Sequence, residues 1–285
     1  MISGALSGLA LGGLYATIAV CLTLMAQLIR VVNFAQLALP MFGTYTAVTL
    51  ADHGMPALPA VLLGVAVATA ASGILGAVLA HWMPEADITH RSAVSIAALL
   101  LTLSASFIAF GTKPKNFAPL VHGAAVDLGG TVVTWIAVVM CLLAVAVASA
   151  AHLVLRRTDA GVLLRALSER PSTAELLGVP ARSLTVAVWL STGVVAGVAV
   201  ALVAPTQTND QYSLTMLVVP SAAAALVGAF RSIWLSVAGG IGLGMLQGAL
   251  AQSNQLSVLK FWIPFAVILV LLLWSQRNQV WDVAR

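Results

Sequence analysis

Side chains that could do acid–base or metal chemistry are scarce in this sequence, which has 13 Lys and Arg, 9 Asp and Glu, and 5 His in 285 residues. No histidine falls in an H-E-x-x-H or other zinc-ligand spacing. No G-x-x-x-x-G-K-[ST] loop is present to bind nucleotide phosphates. Cys21 and Cys141 lie in separate apolar segments and form neither a disulfide framework nor a metal-ligand spacing. The sequence therefore predicts no catalytic residue, no metal site and no directly bound cofactor.

Charge is instead concentrated in one segment, residues 156–183, which we call the polar island. It reads RRTDAGVLLRALSERPSTAELLGVPARS and carries five of the 13 basic and three of the 9 acidic residues of the chain. A charged segment of this kind is either a solvated loop or an element that docks on a partner. Charge alone does not decide between these two interpretations.

Local signals within the polar island predict a short helix. Residues 172–175 fit the S-x-x-E capping box, with Ser172 as N-cap and Glu175 at the third helical position. Gly178 can end the helix in a left-handed conformation, and the proline two residues later stops it from continuing. Such a helix presents Leu176 and Leu177, which is too little apolar surface to fold alone but enough to fill a groove on a partner.

The composition fixes the class of protein in which these features occur. The chain is 61% hydrophobic and 8% charged, with a mean hydropathy of +1.04. These values exclude a soluble domain and indicate a multi-pass membrane protein that contacts lipid. Basic residues that fix membrane orientation account for the net charge of +4, so we expect no nucleic-acid partner.

Nine apolar segments approach the roughly 20 residues that span a hydrocarbon core. They are residues 4–29, 33–50, 57–80, 93–111, 131–155, 184–204, 214–228, 233–251 and 261–274. The seventh is short, so it either crosses or forms a re-entrant segment. We predict an all-α polytopic protein with about eight or nine transmembrane helices in a single domain, residues 1–285.

The basic residues predict the orientation of these helices. With the polar island inside, ten basic residues face the cytoplasm and three face outward. The N-terminus is then outside and the C-terminus cytoplasmic. The first apolar segment has no basic residue before it, unlike a secretory signal peptide, so we expect it to remain as a transmembrane helix.

Small residues predict how some of the helices pack. Gly4, Gly8 and Gly12 recur at every fourth position of the first segment, and Gly240, Gly244 and Gly248 repeat this spacing near the end. Small residues at this spacing let helix backbones approach closely in lipid. We expect them to pack helices together within the subunit.

Several stretches resemble the permease subunits of the branched-chain amino acid type of bacterial ABC importers. Residues 8–45, GLALGGLYATIAVCLTLMAQLIRVVNFAQLALPMFGTY, are similar to the opening of that family, including Asn33, Phe34 and Ala35 and the later Gly43 and Tyr45. Residues 192–205, TGVVAGVAVALVAP, and 238–250, AGGIGLGMLQGAL, extend the resemblance toward the end of the chain. The polar island resembles the cytoplasmic loop with which the family contacts its ATPase.

The resemblance implies a function and a set of sites. The chain would be one permease of an ATP-driven importer in a bacterial inner membrane, working by alternating access. Its partners would be ATP-binding cassette subunits that use the ATP, a second permease (the same or homologous) and an extracytoplasmic solute-binding protein. The substrate would be a small polar solute, namely a branched-chain or other amino acid, an amide or urea. The residues implied in ATPase coupling are Gly161, Arg165, Ala174, Glu175, Leu176, Leu177 and Gly178.

Asn33, Gln36 and Tyr45 are the residues implied in a translocation path. From the residues alone, Asn33 equally fits a helix cap and Gln36 a hydrogen bond to a neighbouring helix. The chain departs from the family at Gln36, where histidine is common, and at residues 228–232, where a Gly-Gly-x-Gly-Ser turn is usual.

The alternative function is a self-contained secondary carrier or channel, in which the polar island is only a loop. A membrane-embedded enzyme ranks last because no catalytic constellation is visible.

Overall fold

The structure, a computed structural model, describes residues 2–84, 86–117, 119–121, 123–127, 132–207, 210–252 and 257–277. Helices dominate these residues. They are α1 (Ile2–Ser7), α2 (Leu9–Ile29), α3 (Ala38–Asp52), α4 (Ala57–Trp82), α5 (Ile88–Phe110), α6 (Trp135–Arg157), α7 (Asp159–Glu169), α8 (Pro171–Leu176), α9 (Ala181–Val203), α10 (Gln211–Met216), α11 (Val218–Val227), α12 (Ile233–Ala251) and α13 (Ile263–Arg277). A small antiparallel hairpin, β1 (Ala124–Asp127) with β2 (Val132–Thr134), precedes α6.

Six of the described helices are long and apolar enough to cross a membrane: α2, α4, α5, α6, α9 and α12. The other three predicted segments are helical too, but α3 has 15 residues, α10 and α11 together span Gln211–Val227, and the apolar part of α13 ends at Trp274. The all-α multi-pass fold is therefore confirmed. A count of eight or nine crossing helices stays a prediction.

Helix α2 is the centre of the fold. In an apolar 18-residue window of α2, 78% of the residues are buried within the protein, against 17% in α6. It packs against α12, α6, α11 and α9. A Cβ on Gly8 would lie 2.1 Å from the carbonyl oxygen of Gly244, and a Cβ on Gly240 would lie 2.3 Å from the backbone nitrogen of Ala16. Only glycine permits this approach, so the predicted packing of the glycine spacings within the subunit is confirmed.

A second packed group consists of α3, α4 and α9. Gly43 on α3 meets Gly64 on α4, since a Cβ on either residue would come within 2.5 Å of the carbonyl oxygen of the other. Gly76 on α4 receives the side chain of Trp189, which is fully buried. The outer faces of α4, α5 and α6 carry exposed apolar side chains, among them Leu62, Ile74, Leu100, Leu101, Ile108 and Leu142. We expect these faces to contact lipid.

Hydrogen bonds show which helix ends lie together. The end of α2, the start of α5 and the polar island meet at one end of the molecule, which we call the island end: Arg91 bonds to the carbonyl oxygen of Ile29, and Arg30 to that of Ser168. At the opposite end, the ammonium of Lys115 donates to Thr49. This grouping matches the predicted alternation of the helices. That the island end faces the cytoplasm stays a prediction.

The turn between α11 and α12 lies at the island end, where Gln27 donates to the carbonyl oxygen of Phe230 over 3.1 Å. Ala229 and Phe230 take left-handed conformations, with φ of 49° and 52°. Side chains other than glycine are strained there. Of the two positions where this chain lacks a glycine of the usual turn, 229 and 231, only Ala229 takes a left-handed conformation.

Candidate functional site

The polar island begins with a sharp corner between α6 and α7. Thr158 caps α7, because its hydroxyl oxygen accepts the N–H of Gly161 over 3.1 Å and donates to the carbonyl oxygen of Val154 over 2.7 Å. A Cβ on Gly161 would lie 2.3 Å from that same oxygen. Glycine at this position therefore lets α7 fold back against the end of α6.

Helix α7 packs against the end of α2 through its apolar face. Leu164 and Leu167 are buried, and Leu164 belongs to a cluster with Met25, Leu28 and Trp189. Arg165 lies on the exposed face, and its Nε donates only within its own helix, to the carbonyl oxygen of Gly161. The amphipathic character of α7 thus anchors the polar island to the most buried helix of the fold.

Arg30 adds a polar connection between α2 and the polar island. It ends α2 in a left-handed conformation, with φ of 53°. Its Nη2 donates to the carbonyl oxygens of Ser168 and Glu169, over 2.9 and 3.3 Å, at the C-terminus of α7. A guanidinium at these carbonyls also faces the negative end of the α7 dipole.

Helix α8 begins differently from the sequence prediction. It starts at Pro171, with Arg170 as N-cap and no side-chain capping bond. Ser172 therefore lies inside the first turn, and the predicted capping box with Glu175 is wrong. Proline explains the difference, because its fixed φ suits the first helical position and its missing N–H would have had no partner there.

The end of α8 agrees with the sequence prediction. Gly178 takes a left-handed conformation, with φ of +85°. Its N–H donates to the carbonyl oxygen of Glu175, and the N–H of Val179 donates to that of Ala174, both over 3.0 Å. These two bonds form a Schellman motif, which satisfies the last carbonyl groups of the helix.

The side chains of α8 divide into a buried one and an exposed set. Ala174 is buried, while Glu175 is exposed and lines a cleft at the island end. Leu176 and Leu177 are 89% and 81% exposed. Two adjacent leucines are thus exposed to solvent at the end of a helix whose last carbonyl groups are hydrogen-bonded.

A buried polar elbow connects α2 to α3 in residues 30–36. The side-chain oxygen of Asn33 accepts the N–H of Ala35 over 3.0 Å and caps a short 3-10 turn, Phe34–Gln36. Its amide donates to the side chain of Gln36 over 2.7 Å, and Gln36 donates to the carbonyl oxygen of Thr192 on α9 over 3.2 Å. Both amides are almost fully buried. This arrangement matches the capping and inter-helix bonding alternative, and a role in translocation stays a prediction.

Helix α5 supports the elbow through residues that sequence reasoning missed. The hydroxyl of Ser95 accepts the N–H of Phe34 over 3.0 Å and lies 3.1 Å from the carbonyl oxygen of Val32. Arg91, one turn earlier, bonds to the carbonyl oxygen of Ile29. Irregular backbone inside a membrane protein needs such partners. The i, i+4 spacing of Arg91 and Ser95 near the start of a predominantly apolar helix was the available signal.

Tyr45 lies apart from the elbow, about 10 Å further along α3 than Ala38 by the rise of a helix. It is fully buried and packs edge-on against Phe117, with ring centroids 5.5 Å apart. Phe110 is its other aromatic neighbour, at 5.7 Å. The structure therefore brings Asn33 and Gln36 together and places Tyr45 in a separate aromatic cluster toward the opposite end.

Groups that could bind a metal are not assembled in the part of the chain that the structure describes, where no three His, Cys, Asp or Glu side chains come together. Cys21 is a buried free thiol, and Cys141 is half-buried. What the described sites offer is neutral amides, backbone carbonyls and exposed apolar side chains.

Comparison with known protein families assigns the chain. A family model described as "Branched-chain amino acid transport system / permease component" matches residues 4–273. The chain belongs to this family. No curated protein and no solved structure gives a significant match. The matched region includes the elbow, the polar island and both glycine spacings, so the permease carries every site described above within its family domain.

Proposed function

We propose that this permease is the membrane subunit of an ATP-driven importer and that its polar island docks on an ATPase subunit at the cytoplasmic face. The exposure of Leu176 and Leu177 carries the proposal. Fully burying a leucine side chain stabilises an assembly by about 1.5 to 3 kcal/mol. Exposed leucines on lipid-facing helices are covered by the membrane, but these two lie among charged residues on a short helix. A groove on a partner protein is the cover that fits them.

The contacts of the polar island supply a route for movement into the membrane. A pull on α8 would pass to α7, which directly precedes α8 in the chain and packs on α2 through Leu164. The hydroxyl oxygen of Thr192 on α9 lies 3.7 Å from the sulfur of Met25 on α2. The carbonyl of Thr192 in turn holds Gln36 of the elbow. Helix α8 and the elbow are thus connected through packed side chains. A mechanism that switches the permease between two conformations needs such a connection.

The transport mechanism that follows is alternating access. Closure of a pair of ATPase subunits would move the polar island, the cytoplasmic ends of α6 and α9 and the end of α2 together. The substrate class is small polar solutes, with branched-chain amino acids first because of the family. A second permease, the same or homologous, and an extracytoplasmic solute-binding protein would complete the assembly in a bacterial cytoplasmic membrane.

Leu177→Asp tests the docking. We expect it to abolish co-purification of the ATPase and transport, while the permease still inserts, because the aspartate would have to be desolvated in an apolar groove. Val258→Asp is the control, since Val258 is 67% exposed and lies in the loop after α12, at the end of the molecule opposite the polar island. A full complement of ATPase with Leu177→Asp would contradict docking. ATP-independent uptake by the permease alone would favour a self-contained carrier or channel.

Single-cysteine labelling tests the orientation, in a background with Cys21 and Cys141 replaced. A cysteine at Asn116, in the loop after α5, should react with an impermeant maleimide in intact cells. A cysteine at Ser168, at the end of α7, should react only after permeabilisation. Labelling of Ser168→Cys in intact cells would overturn the cytoplasmic assignment of the island end.

A further inference from the structure

A cleft at the island end brings together three arginines from different parts of the chain. Arg30 ends α2, Arg91 lies in the first turn of α5 and Arg182 in the first turn of α9. All three line the cleft, which opens between the start of α5 and the α8–α9 connection. Arg30 and Arg91 hold backbone carbonyls near the elbow and at the end of α7, but those contacts do not account for the third arginine, Arg182.

Two of the three guanidinium groups are held in place by neutral acceptors. Arg91 donates to the backbone carbonyl oxygens of Met83, Ile29 and Pro84. Arg30 donates to the carbonyls at the end of α7. Backbone carbonyls fix the position of a guanidinium but do not neutralise its charge. Each of these arginines also keeps unused N–H donors, since a guanidinium has five.

Among the described residues, no carboxylate pairs directly with any of the three arginines. No Asp or Glu oxygen there lies within 4.0 Å of a nitrogen of the three arginines. Two carboxylates line the cleft, Asp87 and Glu175. Asp87 is engaged by the backbone and ring N–H groups of His90, which lower the pKa of its carboxyl. Glu85, in the same loop, lies outside the described residues.

A narrower cavity of about 60 Å³ extends inward and is also lined by Arg30, Arg91 and Arg182. Its wall includes Trp189, which is fully buried and whose indole N–H has no acceptor among the described residues. Buried polar groups of native proteins are normally paired. Guanidinium and indole groups are donors only, so the cavity and cleft together present N–H groups to a ligand that must supply acceptor oxygens.

We propose that this cleft binds the phosphate headgroup of an anionic phospholipid. Phosphate oxygens accept charge-assisted hydrogen bonds from arginine, often in pairs. The cleft lies at the ends of membrane-spanning helices, and basic pockets between such helices are a recurrent site for anionic headgroups. Ile88, which lines the cleft, is 49% exposed, and Trp82, two residues before Pro84 of the lining, is 76% exposed; both offer apolar surface for acyl chains. A lipid held here would bridge α2, α5 and α9.

Native mass spectrometry tests this site. The permease is purified with the subunits that accompany it and is reconstituted in nanodiscs. The nanodiscs contain phosphatidylglycerol or phosphatidylcholine. We expect the parent to retain phosphatidylglycerol in preference to phosphatidylcholine after transfer to detergent. Arg182→Gln should lower that retention about fivefold, because one arginine near a membrane surface contributes roughly that factor.

Arg182 is the first choice for substitution because it is exposed and makes no hydrogen bond or ion pair with the described residues, so its loss leaves the fold intact. Arg91→Gln is the second variant, with a larger expected effect and a check of folding by gel filtration. Arg156→Gln is the matched control, since Arg156 is exposed in the last turn of α6 and does not line the cleft.

The outcomes separate a lipid from other sources of the same chemistry. Equal retention of the two lipids, or equal loss in Arg182→Gln and Arg156→Gln, would overturn the site. Displacement of phosphatidylglycerol by millimolar inorganic phosphate would show that the cleft serves a free anion, and the lipid assignment would then be wrong. The readout is binding alone, so it is independent of whether the polar island docks on an ATPase.

Discussion

The elbow at residues 30–36 and helix α8 are both short segments at the island end, but they differ in how their polar and apolar groups are covered. Asn33, Gln36 and Ser95 satisfy the elbow from within the chain, and the two amides are almost fully buried. Helix α8 has a satisfied C-terminal backbone but leaves Leu176 and Leu177 in the open. The difference indicates that the elbow is a structural element of the subunit, whereas α8 presents an exposed apolar surface that, under the docking proposal, a partner covers.

The largest effect on the isolated permease should come from removing the amide that holds the elbow. Asn33→Ala would leave the buried N–H of Ala35 and the side-chain oxygen of Gln36 without partners, at roughly 1 to 3 kcal/mol each. We expect a loss of about 2 to 4 kcal/mol in the free energy of unfolding, measured in detergent by denaturant titration. Asn116→Ala, at an exposed site in the opposite-end loop, is the control. An unchanged midpoint for Asn33→Ala would show that the elbow does not depend on its own polar groups.

A smaller change in the free energy of unfolding, of opposite sign, is expected at the turn between α11 and α12, where the backbone is strained. Ala229→Gly would relieve a left-handed conformation that costs a non-glycine residue roughly 1 to 2 kcal/mol. Against this gain, the greater freedom of glycine in the unfolded chain costs about 0.5 to 1 kcal/mol. The net gain should be about 0.5 to 1 kcal/mol, measured by the same titration. Ala222→Gly, inside α11, should instead destabilise the protein by about as much. A loss at both positions would argue against strain in the turn.

The smallest effect on stability should come from α8 itself. Leu176→Asp changes a side chain that touches little of its own subunit, so the free energy of unfolding should stay within about 0.5 kcal/mol of the parent. The same change at Leu79, which is buried in α4, should prevent normal folding because it buries a charge. If Leu176→Asp destabilised the isolated permease by several kcal/mol, α8 would belong to the subunit in the same way as the elbow, and the comparison would fail.

Local chemistry predicted the parts of these sites that depend on a few consecutive residues. Gly178 ends α8 because only glycine takes its backbone conformation without strain, and the sequence shows this directly. The predicted start of α8 was wrong because two local signals competed. Pro171 favours the first helical position, and the helix begins there rather than after Ser172 of the predicted capping box.

The remaining features depend on tertiary structure and could not be predicted locally. Arg30 reaches the end of α7 across 138 positions of sequence, and Ser95 reaches Phe34 across 61. Tyr45 follows the elbow closely in sequence, yet α3 carries it away into an aromatic cluster. Likewise the nine apolar segments were found, but no composition rule tells whether the shorter ones cross the bilayer.

The contacts that α1 and α2 make with α12 place a constraint on how the protein is made. The backbone N–H of Gly4 donates to the side chain of Gln252, 248 positions later, and the glycines that pack these helices lie almost as far apart. At ordinary rates of synthesis the ribosome needs on the order of 10 s or more to cover that distance. Throughout that interval the first long helix waits in the bilayer without its main partner. A nascent chain that stops before α12 therefore leaves the glycine face of its central helix open to lipid, even after α6, α9 and α11 have packed against the rest of that helix.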